Sequence, residues 1–111
     1  MQMTAKHREG VTILYPKGKI TIGAGDVALR EAVDEALGAG ASKILINLHG
    51  VSTADSSGIG EMVSAYTTVT NKGGTLKLCE LPSKVSDVLQ ITQLFTVFDI
   101  YESEDEAIES F

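Results

Sequence analysis

An almost continuous apolar run near the middle of the chain has the length of one β-strand: Lys43-Ile44-Leu45-Ile46-Asn47-Leu48. Such a run is typical of a central strand covered on both faces, as in parallel sheets. Residues 49–58 follow it and are rich in Gly, Ser, Thr and Asp. Beyond them, apolar residues recur with helical spacing at Ile59, Met62, Val63, Tyr66 and Val69. This stretch therefore predicts a buried strand, a polar connection and a helix.

The same alternation extends in both directions. Upstream, strands at 2–8 and 11–15 flank a tight Glu9-Gly10 turn, which predicts an antiparallel hairpin, with Ile20 and Ile22 continuing in extended form. The other predicted elements are a helix from Asp26 to Gly38, a strand at 75–79, a helix from Pro82 or Ser83, a strand at 97–101 and a short helix capped by Ser103. We therefore expect one α/β domain over residues 1–111. It has a mostly parallel, mixed sheet of four to five strands, an N-terminal antiparallel hairpin and about four helices.

Composition narrows the possible functions. The 111 residues include 9 Lys and Arg against 15 Asp and Glu, a net charge of −6, which argues against nucleic-acid binding. The single Cys79 forms no internal disulfide, and residues 1–10 lack the apolar core of a signal peptide. No apolar run approaches the ~20 residues of a membrane span. These observations favour a cytoplasmic protein that binds no membrane.

The strongest local motif is a hexapeptide between the predicted strand and helix: Asp55-Ser56-Ser57-Gly58-Ile59-Gly60. Asp and Ser before a helix are N-cap residues, but one cap would suffice. Each glycine costs about 1 kcal/mol inside a helix. Close approach of another backbone or of a phosphate would account for that cost. A phosphoryl group on Ser56 would lie at the positive end of the helix dipole.

At this hexapeptide the chain resembles the STAS domain of bacterial anti-sigma-factor antagonists. The resemblance extends over nearly the whole chain through residues 43–48, 51–60, 71–74 and 94–98. It implies a non-enzymatic protein that, when unphosphorylated, binds an anti-sigma factor with serine kinase activity and so releases a sigma factor. The kinase would phosphorylate Ser56, and a serine/threonine phosphatase would reverse this. Asp55, Ser57 and Gly58 would surround the acceptor.

The resemblance also indicates which residues would contact the partner. Family members often carry Asp at the position of Thr21, beside the phosphorylation site. The loop after it would border the Ser56 surface. The residues predicted to bind the partner are Thr21, Gly23, Gly25, Asp26, Asp55, Ser56, Ser57, Gly58 and Gly60. The protein is expected to be a monomer or a weak dimer.

Two alternatives remain open. The first is a STAS scaffold or lipid-transport component that is not phosphorylated, a role compatible with Thr21. The second is a small nucleotide-binding protein, because residues 23–28 fit G-x-G-x-x-(G/A) between an extended segment and a helix. Against nucleotide binding, Asp26 puts negative charge where phosphate would lie, and the next strand lacks the acidic residue that would bind ribose.

Other chemistry has weaker support. The serine-hydrolase pattern G-x-S-x-G is not met at Ser56 or Ser57. His7, His49 and Cys79 lack the spacing of metal ligands, so neither a metal nor another cofactor is expected. Cys79 ends an apolar strand and is expected to be a small buried hydrophobic residue.

Overall fold

The computed structural model describes all 111 residues. The strands are β1 (Gln2–Arg8), β2 (Val11–Ile20), β3 (Lys43–Asn47), β4 (Val51–Ala54), β5 (Thr75–Cys79) and β6 (Asp99–Tyr101). The helices are α1 (Gly25–Gly38), α2 (Ser56–Asn71), α3 (Ser83–Ile91) and α4 (Glu104–Ser110), with a short 3₁₀ turn at Leu94–Thr96. The predicted α/β class is confirmed, and the predicted strands and helices occur in the expected order with one further strand, β4.

The strands form one mixed sheet in the order β1-β2-β3-β5-β6, with β4 paired to the end of β2. Only β1 and β2 pair antiparallel; β3, β4, β5 and β6 each pair parallel to a neighbour. The hairpin loop consists of Glu9 and Gly10, both with positive φ, 51° and 80°. Two-residue hairpin loops require such angles because they match the twist of the strands. The predicted N-terminal hairpin is therefore confirmed.

Helices cover both faces of the sheet. The larger core lies beneath α1, α2 and α3 and includes Ile44 and Ile46 of β3. On the opposite face, Leu45 belongs to a smaller cluster with Ala107 and Ile108 of α4. Alternate residues of β3 thus enter different cores, which explains why its sequence is apolar without a break.

The structure differs from the sequence prediction around residues 51–58. Val51–Ala54 form β4, whereas the sequence predicted only a polar connection there. β4 pairs with a part of β2 that continues past Pro16, with Gly18 opposite Val51 and Ile20 opposite Ala54. The sheet therefore has six strands, one more than the upper expectation. The strand is not recognisable from the sequence, because two polar residues, Ser52 and Thr53, lie between its two buried ends.

The last strand is shorter than predicted. Residues 97–98 precede β6, which begins at Asp99. Phe98 is buried, and its ring meets that of Tyr66 edge to face at 5.7 Å between centroids. Packing of this ring, rather than strand pairing, explains the apolar character of that segment. None of the four helices combines the length and the apolar run needed to cross a membrane.

Candidate functional site

Ser56 is the first residue of α2, and its side chain is exposed. Asp55 before it is the N-cap, and its Oδ1 accepts a hydrogen bond from the Gly58 N–H at 2.9 Å. This bond satisfies one of the amides that a helix leaves unpaired at its start. Ser57 is half-buried. Asp55 therefore caps the helix, and Ser56 lies exposed directly after the cap.

Asp55 also binds the loop of residues 21–24 that joins β2 to α1. Its Oδ2 accepts a hydrogen bond from the Ile22 N–H at 3.1 Å. The hydrogen bonds from Gly58 and then Ile22 lower the pKa of Asp55 below its ordinary value of 3.8, because they favour the charged form. One carboxylate therefore holds the 21–24 loop against the start of α2.

Asp26, in the first turn of α1, binds the same loop from its other end. Its Oδ1 accepts hydrogen bonds from the N–H groups of Gly23, at 2.9 Å, and Val27, at 2.8 Å. A dinucleotide-binding loop presents its backbone amides to the pyrophosphate. Here a carboxylate occupies two of these amides, which argues against the nucleotide-binding alternative.

Two of the predicted contact residues, Gly25 and Gly58, pack against the backbone of β2. Both are buried, and an added Cβ would overlap the carbonyl oxygen of Lys19 at Gly25 and that of Ile20 at Gly58. The end of β2 thus lies directly beneath the starts of α1 and α2. The structure therefore gives Gly25 and Gly58 a packing role beneath the surface that the other predicted contact residues form.

Gly60 differs from Gly58, because a Cβ there would meet nothing within 4 Å. It lies four residues after Ser56 and four before Ser64, and all three are exposed. Residues with this spacing share one side of a helix. We call the surface formed by Ile22, Gly23, Ser56, Gly60 and Ser64 the Ser56 face. Its helical part is smooth because its side chains are small.

Ile22 is the apolar member of the Ser56 face, with 73% of its surface exposed. The sequence prediction placed Ile22 in an extended continuation of β2 and did not single it out or Ser64. The available signal was an apolar side chain inside a Gly-rich turn. The charged residues near the Ser56 face are mainly acidic. Ser64 of this face lines a groove of about 250 Å³ between α1 and α2, together with the acidic Asp34 and Glu61 and the basic Arg30.

Comparison with known proteins gives the family. The STAS domain model matches residues 2–107. The chain belongs to the STAS domain family. A relative from Paenibacillus polymyxa, named anti-sigma F factor antagonist, is 28% identical over 109 residues, covering 97% of this STAS chain and 92% of the relative. The family predicted from the hexapeptide is therefore confirmed.

Two solved structures share the fold. That of TM1081 from Thermotoga maritima is 30% identical, with a TM-score of 0.89, and the match covers 97% of this STAS chain and 92% of the other. Phosphorylated SpoIIAA from Bacillus is 20% identical, with a TM-score of 0.74 and 98% of each chain covered. The latter likeness concerns the fold alone.

Thr21, where STAS relatives are expected to carry Asp, is half-buried in the loop directly after β2. Its carbonyl oxygen accepts a hydrogen bond from the Asp26 N–H at 3.2 Å. A carboxylate still lies beside the loop, that of Asp26 in the first turn of α1, but it accepts hydrogen bonds from the Gly23 and Val27 amides. Thr21 therefore shapes the border of the Ser56 face without adding charge to it.

A separate polar cluster attaches α4 to the STAS sheet. Glu104 Oε1 accepts from the Tyr15 hydroxyl at 2.5 Å and from Asn47 Nδ2 at 3.1 Å, and Arg8 Nη1 donates to Oε2 at 2.6 Å. Burial raises the pKa of Glu104, but these hydrogen bonds outweigh it, so the pKa is lowered. The same Asn47 amide donates to Glu80 at 3.0 Å. Since these groups bind one another, the cluster is structural.

The remaining candidates for chemistry lie apart from Ser56. Cys79 is fully buried in the α4 face, as expected, and burial raises the pKa of its thiol to about 12. His49 Nδ1 lies 3.9 Å from Glu80, on an exposed side chain. No group of three or more His, Cys, Asp or Glu side chains is arranged to hold a metal ion.

Proposed function

We propose that this STAS domain is an anti-sigma factor antagonist that binds its partner through the Ser56 face and is switched by phosphorylation of Ser56. The observation that carries this proposal is the position of Ser56, exposed at the first residue of α2 and beside a smooth helix surface. The relative named anti-sigma F factor antagonist and the shared fold of phosphorylated SpoIIAA support it.

The switch would act through charge rather than through a change of fold. A phosphoryl group adds about −1.5 to −2 charge. On Ser56 this charge would lie beside the Asp55 carboxylate, which already caps the helix through Gly58. Desolvating it against a surface shaped for a hydroxyl is costly, and a loss of about 3 kcal/mol weakens binding more than a hundredfold.

The proposal includes the enzymes that act on Ser56. The binding partner is an anti-sigma factor with serine kinase activity, which transfers the γ-phosphoryl group of ATP to the Ser56 hydroxyl. A serine/threonine phosphatase removes it by hydrolysis. The STAS domain itself is the substrate and binding module rather than an enzyme, and it acts in the cytoplasm without nucleic acid or membrane.

The test uses the anti-sigma factor kinase of the same organism. Intact mass after incubation with ATP should show one phosphoryl group on wild type and none on Ser56→Ala. Calorimetry should show that Ser56→Ala binds and that Ser56→Asp binds at least about a hundredfold more weakly. Ser83 provides a matched control, since it is also the exposed first residue of a helix; Ser83→Asp should bind as wild type does.

Two outcomes would contradict the switch. If Ser56→Asp bound as tightly as wild type, the charge on Ser56 would not control the complex. If the partner bound but transferred no phosphoryl group, the unphosphorylated scaffold alternative would be favoured.

A further inference from the structure

The strand β1 forms a long open edge of the sheet. It contains seven residues, pairs only with β2, and its side chains are exposed except for Met3, which is half-buried. The opposite edge, β6, has only three residues. Long unpaired edges offer rows of free N–H and C=O groups to another strand. β1 contains no proline or glycine that would interrupt such pairing.

The hairpin geometry identifies the outward groups. Arg8 and Val11 close the two-residue loop. Such a loop is closed by a hydrogen-bonded pair, and hydrogen-bonded and non-hydrogen-bonded pairs alternate along an antiparallel ladder. The N–H and C=O groups of Met3, Ala5 and His7 therefore point away from β2. Their side chains line a groove of about 460 Å³ against α1.

We propose that the β1 edge binds β1 of a second copy of this chain, antiparallel and centred on Ala5. Ala5 then faces Ala5 of the second copy, and Met3 faces His7 in both directions. All three residues have outward amides, so the pairing satisfies each of them reciprocally. The interface is isologous, as in most homodimers.

Charge supports a second copy in this orientation. The basic residues Lys6 and Arg8 lie in one half of β1, while Gln2 and Thr4 in the other half are neutral. Antiparallel pairing centred on Ala5 places Lys6 opposite Thr4 and Arg8 opposite Gln2. Parallel in-register pairing would place like charges directly opposite each other, which is destabilising.

The basic side chains of β1 do not block the edge. Charged side chains often protect an edge strand from pairing. Here Arg8 binds Glu104 at 2.6 Å and Asp105 at 3.0 Å, and Lys6 Nζ lies 5.5 Å from the centre of the Tyr15 ring. Both therefore lie over the α4 face of their own chain. On the other face, Glu31 and Glu35 line the groove and can accept hydrogen bonds from an incoming His7.

Sedimentation velocity of the purified full chain tests the proposal. Between about 10 µM and about 1 mM, the range of weak association, the wild-type mass should rise from 11.8 kDa towards that of a dimer. Ala5→Pro removes one outward N–H without removing a bond to β2, and should remain monomeric. Thr4→Ser, on the same strand with its amide directed to β2, keeps a neutral residue opposite Lys6 of the second copy; it is the matched control and should dimerise.

Two further measurements test the proposal even if the Ala5→Pro variant fails to fold. His7→Glu, at an exposed site, introduces repulsion from Glu31 and Glu35 and should weaken the dimer at least about tenfold. In the wild type, exchange of the Met3, Ala5 and His7 amides should slow as concentration rises, while Thr4 and Lys6 stay protected throughout. A wild type that remains monomeric to about 1 mM, or amide exchange independent of concentration, would overturn the proposal.

Discussion

Oδ2 of Asp55 accepts a hydrogen bond of 3.1 Å from the N–H of Ile22, while Oδ1 of the same carboxylate caps α2 through Gly58. The Asp55 carboxylate thus joins the exposed Ile22 to the helix that begins with Ser56. The two halves of the Ser56 face, which come from different parts of the chain, are thus held in one arrangement by one side chain.

Two substitutions of Asp55 should distinguish its hydrogen bond to the 21–24 loop from its hydrogen bond to the start of α2. Asp55→Ala removes both acceptors, so we expect a lower melting temperature and faster exchange of the Ile22 and Gly58 amides. Asp55→Asn keeps one carbonyl oxygen for Gly58 but presents an amide nitrogen, a donor, to Ile22. Exchange should then rise mainly at Ile22. Unchanged exchange at Ile22 in the Asn variant would show that this bond does not hold the loop.

The stability that the Asp55 hydrogen bonds contribute should depend on pH. Because hydrogen bonds lower the pKa of folded Asp55, its charged form contributes stability that is complete above its ordinary value of 3.8. This stability is lost as pH falls through the folded-state pKa. The difference in melting temperature between wild type and Asp55→Asn should therefore shrink in acid.

The comparison with Asp55→Asn isolates Asp55 from Glu104. The pKa of Glu104 is also lowered, but this carboxyl is present in both proteins. A difference in melting temperature that stayed constant from neutral pH into acid would contradict the role of the charged Asp55.

Much of the fold could be predicted from the sequence, because several elements depend only on the residues of a short local stretch. The continuous apolar run of β3 and the Glu9-Gly10 turn follow from local rules, and so does the Asp55 cap. β4 was not predictable in this way, since Ser52 and Thr53 are compatible with a strand only because β2 continues past Pro16 to pair with them. Strand pairing over such a separation is not encoded in the local pattern.

The sequence predicts the centre of the Ser56 face, but not which neighbouring residues belong to it. Ser56 and its cap follow from the hexapeptide. The roles of Gly58 and Gly60 were indistinguishable in sequence, because the difference is the carbonyl of Ile20, which lies beneath only Gly58. The sequence alone predicts that Ile22 extends a strand, because an isoleucine in an extended segment resembles a core residue. Its exposure depends on the turn that follows.

The two glycines of α2 should respond oppositely to alanine. A Cβ at Gly58 would overlap the Ile20 carbonyl oxygen, so Gly58→Ala should lower the free energy of unfolding by about 2 kcal/mol or more. At Gly60 the Cβ meets open space, so Gly60→Ala should raise it by about 1 kcal/mol through helix propensity. Urea denaturation measures both. Equal effects at the two sites would contradict the close approach of β2 at Gly58.

Ile22 should contribute binding energy without contributing stability. With 73% of its surface exposed, it buries little area on folding, so Ile22→Ala should leave the melting temperature nearly unchanged. If the anti-sigma factor covers the Ser56 face, loss of this apolar side chain should weaken binding by more than about 1 kcal/mol, roughly fivefold or more.

The matched control for Ile22 is Ile91, at the end of α3, which is 82% exposed. The two substitutions remove the same atoms from similarly exposed positions, so non-specific effects of surface hydrophobicity should cancel between them. Calorimetry should show weakened binding for Ile22→Ala and wild-type binding for Ile91→Ala. Equal affinities for the two variants would exclude Ile22 from the interface, and since Asp55 holds Ile22 beside Ser56, the partner would then have to approach Ser56 from the α2 side alone.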